Sequence, residues 1–100
     1  MGRLKLLLSY NIVPQHQEEY MQFAVQVFVP TLQRIGLENQ GVWHTAWGDY
    51  PNRLIIFVGE AQDVRDAMAS DTWEQLESRL KGYVSDYKRR IVPFQPGFQF

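Results

Sequence analysis

Arg53-Leu54-Ile55-Ile56-Phe57-Val58-Gly59 is apolar at every central position, so neither face of this stretch is offered to water. The run is too short for a buried helix and is preceded by Gly48-Asp49-Tyr50-Pro51-Asn52, a cluster of turn formers. It therefore reads as a strand over Arg53–Gly59, apolar on both faces. The segment before the turn, Gly41 to Trp47, alternates as a second strand, with Trp43, Thr45 and Trp47 opposite Val42, His44 and Ala46. Two such runs joined by a short turn make a hairpin.

Working outward toward the N-terminus, Leu4 to Val13 is another strand. Leu4, Leu6, Leu8, Tyr10 and Ile12 share its apolar face, and Lys5, Leu7, Ser9, Asn11 and Val13 share a mixed one. Pro14 closes it, and Gln15-His16-Gln17-Glu18-Glu19 opens a helix with acids in the first turn. Tyr20, Phe23, Ala24, Val27, Phe28, Thr31, Leu32 and Ile35 recur at helical spacing over residues 15 to 35. Pro30 cannot donate to the carbonyl of Gln26, which predicts a kink or local unwinding, and Gly36 reads as the C-terminal cap.

Toward the C-terminus, Ala61 to Ala69 reads as a short helix, and Ser70-Asp71 restarts another, with Asp71 and Glu74 placed as a capping box. Trp73, Leu76 and Leu80, continued by Tyr83 and Tyr87, form its stripe. Lys88 to Phe94 is the last strand and Gln95 to Phe100 a tail. The order β-α-β-β-α-β predicts a single α+β domain over residues 1–100. It has ferredoxin-like topology, with a four-stranded antiparallel sheet carrying both helices on one face.

The other face should be polar at every second position if it meets water. Instead Leu7, Val13, the strand from Val42 to Trp47 and the run Leu54–Val58 leave it apolar. A patch of that kind is buried economically by a second copy across a two-fold axis, so a homodimer is expected. The alternative is a monomer whose third strand is merely central in the sheet. Ten basic residues against eleven acidic ones, net charge −1, provide no concentrated positive surface, which argues against nucleic acid. No apolar stretch approaches the roughly 20 residues of a membrane helix, and none at the N-terminus reads as a signal peptide. With no cysteine in the chain, a cytoplasmic location is the default expectation.

Gly36-Leu37, Gly41-Val42-Trp43-His44-Thr45, Trp47-Gly48-Asp49, Pro30 within the long helix and Ser70-Asp71-Thr72-Trp73-Glu74 resemble the dimeric α+β barrel superfamily, most closely its NIPSNAP-like members. That resemblance implies two sheets packed face to face and a cavity between sheet and helices in each subunit. It also implies a set of relatives that includes cofactor-free monooxygenases of the antibiotic-biosynthesis type and haem-binding or haem-degrading proteins. Fold does not choose among these activities.

His44 is the catalytic candidate: mid-strand among apolar neighbours, it would be placed to act as a general base, whereas the structural alternative ties it to a backbone carbonyl or the partner. Hairpin register decides its face. Tyr10, Asn11, Trp43, Trp47 and Trp73 are candidate ligand-binding residues for a small apolar or aromatic molecule, with core and interface packing as the alternative. His16 and Glu19 lie one helical turn apart but are too few for a metal site, so no metal is expected. Lys88-Arg89-Arg90 reads as a solvated basic run, pairing with Asp86 or meeting an anionic substrate. No phosphate loop, Gly-x-Ser-x-Gly elbow or His-Glu-x-x-His is present, and no cofactor is expected.

Overall fold

The computed structural model describes residues 2–45 and 52–94, without the side chain of Thr45. Trp47, the turn at 48–51 and the tail at 95–100 lie outside the described residues. Strand β1 (Arg3–Ile12) leads through a short 3-10 turn, Pro14–His16, into α1 (Gln17–Phe23). A π-helical segment, Ala24–Phe28, and α2 (Val29–Arg34) continue the same rod. Then come β2 (Glu38–Thr45), β3 (Asn52–Glu60), α3 (Ala61–Met68), α4 (Asp71–Lys81) and β4 (Val84–Pro93). The sheet order is β2-β3-β1-β4, antiparallel throughout, which is the expected ferredoxin-like arrangement.

Period-two alternation sorts β1 and β3 cleanly. Leu6, Leu8, Tyr10 and Ile12, with Ile55 and Phe57 beside them, are at most 2% exposed and form the core with the helices. Tyr20, Phe23, Phe28 and Leu32 arrive from the first rod, and Trp73, Leu76 and Leu80 from α4. Phe28 is the junction, its ring centroid lying 6.1 Å from both Phe57 and Trp73.

Pro30 shapes the first rod as its chemistry requires. With no N–H at residue 30, the helix widens just before it, and the N–H of Val29 donates to the carbonyl of Ala24 five residues back. Gly36 ends the rod in the left-handed region at φ 99°. A side chain there would press on Asp63, its Cβ 3.2 Å from Oδ2, and glycine avoids both strains.

Several local expectations are corrected. β2 starts at Glu38 rather than Gly41, because an extra residue between Asn39 and Gly41 lets pairing with β3 resume after a bulge. Helix α4 stops at Lys81, and β4 begins at Val84 rather than Lys88. Gly82 ends the helix, so Tyr83 lies in the turn and Tyr87 on the strand, both still packed on the core. The cap of α4 is Ser70, not Asp71: the Ser70 Oγ accepts the Trp73 N–H at 3.1 Å.

The second sheet face is also less exposed than its composition implied. Ile56 and Val58 are buried within the single chain, and Lys5, between them and Val92 in register, is only 7% exposed with its Nζ 5.7 Å from the Phe94 ring. Trp43 lies along this face, its ring occupying the space that a Cβ at Gly41 would need. Trp43 itself is 44% exposed, whereas Val42 belongs to the helix side by its pairing with Ile55.

Candidate ligand-binding site

A cavity of about 290 Å³ opens between the first helical rod and the β2–β3 pair. Met21, Ala24, Val25 and Val29 form its helical wall, and Val42 and Ile55 its sheet wall. The π-helical widening contributes directly, since Ala24 and Val25 belong to it. Met21, Val25 and Val42 are three of the five exposed large hydrophobic residues among those described, so exposed apolar surface converges on this cleft.

Its polar groups are few: Asn39, the Tyr20 phenol and Arg53. Arg53 faces the helices because it lies two residues before Ile55 on β3. Its guanidinium carbon stands 5.5 Å from the Tyr20 ring centroid, and its Nη1 donates to the Met21 Sδ at 3.7 Å. The buried Nε has no hydrogen-bond partner among the described residues.

Arg53 is the centre of a row across the sheet. His44 pairs with it from β2 and Tyr10 from β1, and side chains opposite one another share a face. The Tyr10 hydroxyl meets that of Tyr20 at 2.6 Å. Burial drives the Tyr10 phenol well above the ordinary tyrosine range, Tyr20 adds to this, and Arg53 opposes it. Burial, with a hydrogen bond to Glu77, likewise raises Tyr87. Both phenols therefore stay neutral near pH 7 and supply hydrogen bonds rather than a phenolate.

The register settles which face His44 takes: it is on the helix side, although solvent-exposed and outside the cavity lining. Asn11 is on the opposite face, donating to Asp86 Oδ2 at 2.9 Å and accepting from Asn52 at 3.2 Å. It thus ties β1 to both neighbours where β4 bulges and Asp86 adopts φ 54°. Trp43 is also on the open face, and Trp73 is core and not among the residues lining the cavity. Trp47 lies outside the described residues.

His16 pairs with Glu19 at 2.9 Å, and among the described residues no group of three metal-ligating side chains forms. Within the basic run, Arg89 pairs with Glu77 at 3.2 Å, while Asp86 takes Asn11 as its partner. No helix among the described residues is long and apolar enough to cross a membrane.

Arg53 is the residue that sequence reasoning passed over. It reads as a charge flanking an apolar strand, yet strict alternation back from Phe57 and Ile55 puts it on the buried face.

A β-α-β-β-α-β sheet with its helices on one face defines a ferredoxin-like α+β fold, which solved structures of NIPSNAP family proteins share. A NIPSNAP family protein from Agrobacterium tumefaciens has the same fold, with a TM-score of 0.69 at 14% identity over 97% of this chain and 90% of that one. A putative antibiotic biosynthesis monooxygenase from Nitrosomonas europaea matches at 0.73, with 10% identity over 99% of this chain and 97% of its own. A cofactor-independent oxygenase from Streptomyces nogalater matches at 0.69, with 14% identity over 99% and 97%. The sequence matches no protein-family model and no curated protein. At such identities the likeness establishes the fold and leaves the activity to the site.

Proposed function

We propose that this chain binds a small, largely apolar molecule between its sheet and its first helical rod, and that it does so as a homodimer. The observation that carries the binding reading is the convergence of Met21, Val25 and Val42 on one cleft with few polar groups. At about 30 Å³ per water-sized group, the volume corresponds to about ten heavy atoms. A haem macrocycle has several times that number, and no histidine lines the cavity, so this cleft supports a smaller ligand better than haem.

A neutral probe of the right size, 1-octanol, tests this reading by NMR titration. Methyl resonances of Met21, Val25, Val29 and Val42 should shift together and saturably. Unmoved methyls, or shifts spread over the whole surface, would end it. Dimerisation is supported by the placement of both helical layers on one sheet face, which leaves Trp43 exposed on the other. Sedimentation equilibrium at micromolar concentration decides it: a monomer there removes the claim.

A second reading, cofactor-free oxygenation with His44 as base, is favoured by the pairing of His44 with Arg53 on the helix side. Its test is His44→Ala, which should abolish turnover of a substrate while leaving binding and assembly unchanged.

A further inference from the structure

We propose that the ligand of this cavity is a monocarboxylate with an apolar body of about ten heavy atoms, its carboxylate held by Arg53. The inference rests on the cavity being a binding site and adds the chemistry of the ligand's head. Arg53 carries a permanent charge into a cleft lined by no acid among the described residues. Its buried Nε donates to nothing among the described residues, and an unpaired donor of this kind is costly to leave.

The contacts Arg53 does make are soft and directional. The Tyr20 ring and the Met21 sulfur fix the guanidinium without satisfying Nε. With Nη1 engaged by Met21, the edge formed by Nε and Nη2 faces no acceptor among the described residues. Of this edge only Nη2 is left to meet a carboxylate oxygen, because Nε is closed even to water. A single guanidinium beside Asn39, with no second base lining the cavity among the described residues, suits one negative charge rather than a phosphate dianion. Met21, Val25, Val29 and Val42 then enclose the hydrocarbon.

The probes are octanoate, 3-phenylpropionate and 1-octanol, titrated calorimetrically into the intact protein near neutral pH. The two acids separate an aliphatic from an aromatic body while sharing the head group. At least one should bind about tenfold to a hundredfold more tightly than 1-octanol, the margin a charge-assisted hydrogen bond supplies. Arg53→Met should bring the acids down to the level of the alcohol, and Arg53→Lys should recover part of the difference. If acids and alcohol bind the unaltered protein equally, the carboxylate inference is wrong and the cavity reading stands. The carboxylate inference is equally wrong if Arg53→Met leaves the acids' advantage intact. If none of the three binds, the cavity reading falls and the inference falls with it. Should Arg53→Met fail to fold, the ratio of acid to alcohol affinity in the unaltered protein decides alone.

Discussion

The hydroxyls of Tyr10 on β1 and Tyr20 on α1 share a 2.6 Å hydrogen bond inside the core, with the two rings edge to face at 5.7 Å. This contact joins the first rod to the strand beside Arg53, and it makes the fold sensitive to alkali. Burial raises the Tyr10 phenol above the value of about 10 that it has in the unfolded chain. Below that pH both states hold the proton and the contribution is intact. Above it, the unfolded chain releases a proton that the folded chain retains, so stability falls by up to about 1.4 kcal/mol per pH unit for this group. Urea unfolding between about pH 9 and pH 11.5 should show that decline. In Tyr10→Phe the decline should be shallower, though not absent because Tyr87 is raised as well, and the variant should lose about 1 kcal/mol near neutrality. An unchanged alkaline slope would mean that Tyr10 does not titrate as its burial requires.

Gly36 separates two costs that are usually entangled. An alanine there must adopt φ 99° and also approach Asp63 Oδ2 to 3.2 Å. Gly36→Ala should lose about 1–3 kcal/mol by denaturant midpoint. In an Asp63→Ala background the steric share should disappear while the backbone share persists. A full recovery in the double variant would show that the left-handed conformation costs little here.

Trp43 tests the dimer face. It is 44% exposed, so Trp43→Glu should leave the chain folded while placing a charge on this sheet face. If a second copy covers that face, the tryptophan there behaves as an anchor, and its loss should weaken association by about 2 kcal/mol or more in sedimentation. Association indifferent to Trp43→Glu would put the contact elsewhere.

The sequence shows much of this frame because alternation and helical spacing are properties of single segments. Pro30 foretold a break in the first helix, and the break takes the form of the π-helical turn Ala24–Phe28. The start of β4 was hidden by composition: Ser85-Asp86-Tyr87-Lys88-Arg89-Arg90 lies on an edge strand, where polar residues on both faces resemble a solvated helix. The site was hidden for a different reason. Whether His44 and Tyr10 flank Arg53 depends on two inter-strand registers, and a slip of one residue would send His44 to the opposite face. Trp43 and Trp73 drew attention by size, yet size marks packing as readily as binding. The cleft is made by smaller side chains, Ala24, Val25 and Val42, whose positions follow from the widened helix and the edge strand rather than from any motif.

Ala24 offers the sharpest test of that cleft, because filling it should separate binding from stability. This half-buried residue of the π-helical turn packs against the core on one side and lines the cavity on the other. Ala24→Leu would place three more carbons in the space a ligand uses. Each buried methylene contributes about 0.8 kcal/mol, offset by whatever crowding the new side chain meets. The thermal midpoint should therefore hold or rise, by about 4–8 °C for each kcal/mol gained in a domain of this size. Binding of 1-octanol and octanoate should be lost together. That pattern is the opposite of Arg53→Met, which should spare the alcohol and penalise only the acid. If Ala24→Leu lowered the midpoint and left both ligands bound, the wall of the site would have to lie elsewhere than along this helical turn.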